Sequence, residues 1–112
     1  NFTRMKKRRI KFNLGVSYKT SRKQMEEVVE GIKDLIKKDS GFEHNFYMVH
    51  FTEFGAYSLD IFIYCFTKTT VWDDFLTVRE RFNLQIMQLL EELDVEIAYP
   101  SQTIFVEGAE ET

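Results

Sequence analysis

The side chains that could do chemistry are few in this sequence, and they stand apart from one another. His44 and His50 are the two histidines, and no carboxylate or further ligand accompanies them at a spacing typical of metal sites. Cys65 lies in an apolar run, where a buried, unreactive thiol is the ordinary state. No serine or cysteine has a base at a spacing that suggests an activated nucleophile. The sequence therefore predicts a protein that is not an enzyme and that holds no metal or cofactor.

Phosphate loops and nucleic-acid motifs have equally little support in the sequence. The 5 glycines stand singly, so no glycine-rich phosphate loop is present. The segment Phe54 to Tyr57 is superficially similar to the glycine–aromatic signature of RNA-recognition motifs, which stack bases on strand aromatics. However, Glu53 stands where that signature has a basic residue, and the basic cluster lies on the amino-terminal arm. We therefore expect no nucleic-acid partner.

Charge is distributed unevenly along the chain, whose net charge is −3. Every charge from Arg4 to Lys23 is positive, and every charge after Arg81 is negative. Such an asymmetry can steer ions or binding partners. Two solvated surface patches are the simpler interpretation until a geometry is known.

Composition predicts one domain with one core. Of the 112 residues, 44% are hydrophobic and 15% are aromatic, which is enough for a hydrophobic core of ordinary size. The single cysteine cannot form an internal disulfide, which fits a reducing compartment. The longest apolar stretch, residues 59–66, contains Asp60 and is too short to span a bilayer, and no signal peptide is visible. Because the chain starts at Asn1 and enters a charged run at once, we interpret it as a fragment of a larger protein.

Hydrophobic periodicity divides the chain into strands and helices. Alternating apolar residues predict strands over residues 10–16, 46–52 and 58–67. Helical spacing predicts one amphipathic helix that follows a capping box at Ser21 and Gln24 and stops near Gly41, and a second helix over residues 71–93. Two short strands are predicted over residues 95–99 and 104–106, with a bend at Pro100 between them.

This order of elements predicts an α+β fold. It is a ferredoxin-like βαββαβ sandwich, in which two helices cover one face of an antiparallel sheet, with an extra C-terminal strand. The third strand is apolar on both faces, since Phe62, Tyr64 and Phe66 alternate with aliphatic residues. Strands of this kind are usually buried on both faces. We therefore expect a neighbouring subunit or a preceding domain to cover the three aromatic rings, although a loop or the C-terminal strand could also do so.

Four segments of the chain form a recognisable series that covers residues 1–108. They are Asn1-Phe2-Thr3-Arg4 with Arg8-Arg9-Ile10, then Val16-Ser17-Tyr18, then Thr52-Glu53-Phe54-Gly55 with Ser58-Leu59, and finally the segment from Glu96 to Ile104. This series resembles the cytoplasmic carboxy-terminal region of the small-conductance mechanosensitive channel family. The first segment is similar to the exit from that family's β-rich middle domain, and the last is similar to its terminal turn and strand.

The resemblance implies a role as the cytoplasmic vestibule domain of a membrane channel that opens during osmotic downshock. Such a domain would contribute to subunit assembly and to ion passage. The full-length protein would be a homoheptamer in the cell membrane, held there by transmembrane helices outside this chain, and the fragment alone would be monomeric or weakly associated. The implied boundaries are residues 1–9 for the end of the preceding β-rich domain, 10–100 for the ferredoxin-like domain, 101–108 for an oligomerisation strand and 109–112 for a frayed tail.

Candidate functional residues follow from the resemblance and from the two-faced strand. The candidate subunit contacts are Phe62, Tyr64, Phe66, Thr103, Ile104, Phe105 and Val106. Rings of like charge around an aqueous opening bias ion passage, so the candidate ion-path charges are Lys6, Lys7, Arg8 and Arg9. The alternative function is a ferredoxin-like regulatory module that binds a small ligand or metal in an oligomer, which would require converging ligand residues in an apolar pocket.

Overall fold

The fold combines two helices with a three-stranded antiparallel sheet. The computed structural model describes residues 7–98. The elements, in chain order, are β1 (Arg8–Val16), α1 (Arg22–Lys38), β2 (Phe42–Phe54), β3 (Leu59–Thr67) and α2 (Trp72–Glu92). The strands lie in the order β1-β3-β2, so that β3 is central and pairs with both of its neighbours. This arrangement confirms the α+β class.

The sheet buries one face against both helices. On β3 the side chains of Leu59, Ile61, Ile63, Cys65 and Thr67 are all buried, whereas the residues between them are only partly so. The buried residues of β1 and β2 and the inner stripes of the two helices join this set in one hydrophobic core. Alternation along a strand sends neighbouring side chains to opposite faces, so the core lies entirely on one side of the sheet.

The helix α1 starts and buries its stripe as the sequence predicts. The Ser21 hydroxyl accepts a hydrogen bond from Gln24 N at 3.1 Å, and Ser21 N donates to Gln24 Oε1 at 2.8 Å, which completes a capping box. The Gln24 amide also donates to Leu93 O at 2.9 Å, which ties the start of α1 to the end of α2. Met25, Val28, Ile32 and Ile36 form the buried stripe of this helix.

The two helices approach one another closely at a glycine. A Cβ atom built on Gly31 would lie 2.7 Å from Leu89 Cδ1, so a larger side chain at this position would require Leu89 to move. Lack of a side chain at residue 31 therefore lets α1 and α2 pack against each other while both also cover the sheet.

The second strand differs most from its prediction. It begins at Phe42 rather than at residue 46, since Phe42 is buried and pairs with Thr67 ahead of a register shift. The polar residues that follow Phe42 interrupt the alternation there, which is why a period of two does not detect this end of the strand. A second shift lies between Phe51 and Glu53, after which Phe54 pairs with Leu59.

The segment after α2 returns to the free edge of β1. Val16 and Ile97 form an isolated antiparallel bridge, with Ser17 N donating to Glu96 O at 2.8 Å and Ala98 N donating to Gly15 O at 3.1 Å. The predicted strand over residues 95–99 is thus represented by a single bridge within the described residues. The predicted strand over residues 104–106 lies outside them.

An ion pair fixes the end of α1 against the middle of α2. Asp39, the C-cap residue of α1, accepts two hydrogen bonds of 2.8 Å from Arg81 Nε and Nη2, and its Oδ1 also accepts from Gly41 N at 2.8 Å. The Asp39 side chain is 7% exposed and that of Arg81 is 43% exposed. The bond from Arg81 is the main reason that the pKa of Asp39 lies below its ordinary value of 3.8.

We expect Asp39→Asn to lower the free energy of unfolding at pH 7 by about 1–2 kcal/mol, because the amide keeps an acceptor for Gly41 N and loses the charge facing Arg81. A lowered pKa contributes stability that is complete well above 3.8 and is lost as the pH falls through the folded-state pKa. The difference between the wild-type protein and the variant should therefore shrink as the pH falls below 3.8 and through the folded-state pKa of Asp39, measured by chemical denaturation. Asp34→Asn, at an exposed position of the same helix, is the control. An undiminished difference at low pH would contradict this assignment.

Candidate interaction surface

The face of the sheet that points away from the helices carries a strip of aromatic rings. It consists of Phe62, Tyr64 and Phe66 on β3 together with Phe46 on β2, and we call it the aromatic strip. All three β3 residues are neither fully buried nor fully exposed, and Phe46 is 43% exposed. The structure thus brings together the three strand aromatics predicted as contacts and adds a fourth ring that the sequence did not single out.

The rings of the aromatic strip contact one another. Phe62 and Tyr64 are stacked with centroids 6.0 Å apart, and Tyr64 meets Phe66 edge to face at 5.5 Å. The Phe46 ring lies 5.7 Å from Tyr64 and 5.9 Å from Phe66. Pairs with these separations stabilise a sheet face beyond their buried area. The rings therefore bury one another in part, whereas the sequence analysis expected a neighbouring subunit or domain to cover them. Part of their apolar surface remains accessible to solvent.

Polar side chains border the aromatic strip along β1 and at one position of β2. On β1, Arg9, Lys11 and Asn13 lie opposite Phe66, Tyr64 and Phe62 in the strand register. On β2, Met48 and His50 lie opposite Tyr64 and Phe62. An apolar centre with a polar and charged border is typical of surfaces that bind another protein surface.

The predicted ion-path charges have different environments. Lys7 Nζ lies 3.6 Å from Glu43 Oε1. Arg8 Nε donates a hydrogen bond to Thr70 O at 2.9 Å, and its guanidinium carbon lies 5.0 Å from the centre of the Trp72 ring. Arg9 is exposed on the border of the aromatic strip. Arg8 therefore fastens β1 to the start of α2, and Lys6 lies outside the described residues.

Trp72, the first residue of α2, lies at the edge of the core. It fits the spacing of the apolar stripe of α2, yet its side chain is 57% exposed, because it occupies the first helical position, at the edge of the core. Its ring stacks on Phe75 with centroids 5.6 Å apart and receives Arg8. The signal available in the sequence was the pair of neighbouring acids, which marks the first turn of α2.

An aromatic pair lies at the end of β2. A strict period of two would send Phe51 and Phe54 to opposite faces, but the register shift between them places both on the helix side, with ring centroids 5.1 Å apart. Beside them lies an apolar cavity of about 750 Å³ whose lining also includes Met25, Val29 and Leu59. Phe54 is 74% exposed.

The titratable side chains of the described region have separate environments. Burial raises the pKa of the Cys65 thiol to about 12, so this side chain stays protonated at neutral pH. A hydrogen bond from Asn45 N, followed by the charge of Lys7, lowers the pKa of Glu43. His44 Nε2 lies 3.0 Å from Asp39 O. Between residues 7 and 98, no three histidine, cysteine or acidic side chains are grouped as a metal site would require.

The predicted contacts from Thr103 to Val106 lie outside the described residues. Among residues 7–98, neither helix is long and apolar enough to cross a membrane. Features of the described residues that suit recognition include the aromatic strip, its charged border and the apolar cavity beside Phe51.

Comparisons with known proteins give the family. Residues 10–97 match the family described as "Mechanosensitive ion channel MscS, C-terminal". An uncharacterized MscS family protein of Aquifex aeolicus is 37% identical over 109 residues, which cover 96% of this chain and 29% of that protein. The low conductance mechanosensitive channel YnaI of Escherichia coli is 32% identical over 106 residues, which cover 94% of this chain and 31% of that channel.

A solved structure agrees with these sequence matches. The crystal structure of Helicobacter pylori MscS in its closed state aligns with a TM-score of 0.68 and 26% identity, covering 95% of this chain and 39% of that one. The chain spans roughly 30% of the length of the curated relatives named above, 29% in one and 31% in the other. It belongs to the MscS family of mechanosensitive ion channels and corresponds to the C-terminal domain of its members.

Proposed function

We propose that the chain is the cytoplasmic vestibule domain of a small-conductance mechanosensitive channel that conducts ions during osmotic downshock. The match of residues 10–97 to the C-terminal domain of the family is the observation that carries this proposal. In this view the domain is a structural and conducting part of a cell-membrane channel and has no catalytic role. The regulatory-module alternative needs converging metal or ligand residues, and none are grouped as a metal site within residues 7–98.

The proposal includes the complete ferredoxin-like topology. The strand order β1-β3-β2 and the antiparallel bridge between Val16 and Ile97 are compatible with a fourth strand beside β1, which would complete a βαββαβ sandwich. We place the end of the preceding β-rich domain at residues 1–9, the ferredoxin-like domain at 10–100, the oligomerisation strand at 101–108 and the tail at 109–112.

We further propose that the aromatic strip and residues 103–106 contact neighbouring subunits of a homoheptamer. The strip offers partly exposed rings beside cationic side chains, and its burial against a neighbour would remove apolar surface from water. A small area buried by one domain yields little net affinity. The isolated chain should therefore be monomeric or weakly associated, whereas the full-length ring would be held together by further domains as well.

The channel function is tested by rescue of cells. Expression of the full-length protein that contains this domain should restore survival of channel-deficient bacteria after sudden dilution, measured as colony counts. The same protein without residues 10–100 should express and fail to rescue. Equal survival with and without the domain would contradict a contribution of this domain to the channel.

Assembly is tested on the aromatic strip. Phe62→Asn in the full-length protein should reduce the fraction of assembled rings in detergent, measured by native mass spectrometry, because the ring is replaced by a polar side chain at the proposed contact. Leu84→Asn, at a residue that is 58% exposed on α2, is the matched control and should leave assembly unchanged. Denaturation of the isolated Phe62→Asn chain separates assembly from folding. An unchanged ring fraction would exclude the strip from the contact.

Ion passage is tested by charge reversal. Lys6→Glu combined with Arg9→Glu should shift the reversal potential of the full-length channel toward cation preference in patch recordings under a salt gradient. Arg8 is left in place because its contacts with Thr70 and Trp72 make it part of the fold. Lys37→Glu with Lys38→Glu, at exposed positions of α1, provides the control. A reversal potential equal to that of the unmodified channel would remove Lys6 and Arg9 from the ion path.

A further inference from the structure

A positively charged cleft lies where the start of β1 meets the start of α2. Its volume is about 700 Å³, and it reaches from the end of the aromatic strip to the first turns of α2. Four of its lining residues are the cations Lys7, Arg8, Arg9 and Arg79. The other lining residues are aromatic, and no carboxylate is among the described residues that line the cleft.

The charge of this cleft is only partly neutralised by the residues that the structure describes. Lys7 has a carboxylate neighbour, since its Nζ lies 3.6 Å from Glu43 Oε1. Arg8 uses Nε for Thr70 O, and no acceptor within residues 7–98 takes a hydrogen bond from its two Nη atoms. Arg9 and Arg79 are exposed. Guanidinium groups bind phosphate oxygens in a bidentate way, so the cleft has the donors that a polyanion requires.

The aromatic walls restrict the class of anion further. Trp72 is 57% exposed although it stacks on Phe75, and Tyr64 and Phe66 border the cleft from the sheet. Exposed rings beside arginines are the arrangement on which nucleobases stack in many binding sites, because every base has a flat π face. An inorganic anion would leave the exposed Trp72 ring in water. A ligand that combines a flat aromatic group with phosphates would use both parts of the cleft.

We propose that this cleft binds a nucleoside polyphosphate, with the phosphates on Arg8, Arg9 and Arg79 and the base against Trp72. Such a site would bind a ligand in addition to any role in ion conduction, and it lies at the start of β1. Charge pairing dominates the attraction, so affinity should fall as salt concentration rises. The cleft volume lies within the range typical of small-molecule sites.

Calorimetric titration of the 112-residue chain with ATP, pyrophosphate and adenosine tests the proposal. We expect measurable ATP binding. Pyrophosphate and adenosine should each bind at least about tenfold more weakly, because pyrophosphate lacks the base and adenosine lacks the phosphates. Arg79→Ala should weaken ATP and pyrophosphate together by about tenfold. Trp72→Leu should weaken ATP binding and leave pyrophosphate binding unchanged, a difference that loss of folding would not produce.

Lys37→Ala, at an exposed cation of α1 outside the cleft, is the control and should bind ATP as the unmodified chain does. Absence of ATP binding would overturn the proposal, and so would equal affinities for ATP and pyrophosphate. Circular dichroism shows whether each variant is folded, and the three-ligand comparison on the unmodified chain is decisive without any variant. Because binding is measured on the chain alone, its failure is distinguishable from failure of the channel proposal.

Discussion

The central position of β3 is the constraint on which the rest of this structure depends. Both of its edges are hydrogen-bonded to neighbouring strands, and its side chains must alternate between the two faces of the sheet. Because Ile61, Ile63 and Cys65 face the helices, Phe62 and Tyr64 are obliged to face away from them. A slip of one residue would exchange the two sets, placing aromatic rings under the helices. The core and the aromatic strip are thus two consequences of one register.

The helices are held to this sheet and to each other at three levels. At one end Gln24 bonds to Leu93 O, at the other Arg81 bonds to Asp39, and between them the helices touch where Gly31 faces Leu89. These contacts span α1 from its start to its end and hold it against the middle and the C-terminal end of α2.

The basic start of the domain serves more than one purpose. Arg8 is committed to the fold through Thr70 and the Trp72 ring, and it links the first strand to the last helix. Arg9, one residue later, lies on the opposite face and is exposed, because successive strand residues point in opposite directions. A run of cations that resembles a uniform patch in the sequence is therefore divided between the two faces of the sheet, and Arg8 also makes contacts within the fold.

The sequence by itself determined the helices and strands and the faces that they bury, because these follow from local periodicity. The alternation of β3, the helical stripes and the capping box at Ser21 specify the elements and their inward faces, because each depends on residues only a few positions apart. The resemblance to the channel family, carried by short segments in order, also required no coordinates. Phe62, Tyr64 and Phe66 were also identified from the sequence, because their spacing along β3 places them on the face opposite the core.

Only the tertiary structure decided which of the exposed side chains come together. Phe54 joins Phe51 through a register shift in β2, and a register shift is set by pairing with another strand. Arg8 lies in one cleft with Trp72 and Arg79, although it is far from them along the chain. Contacts of this kind depend on how elements pack, and packing is a property of the whole core that no local pattern encodes.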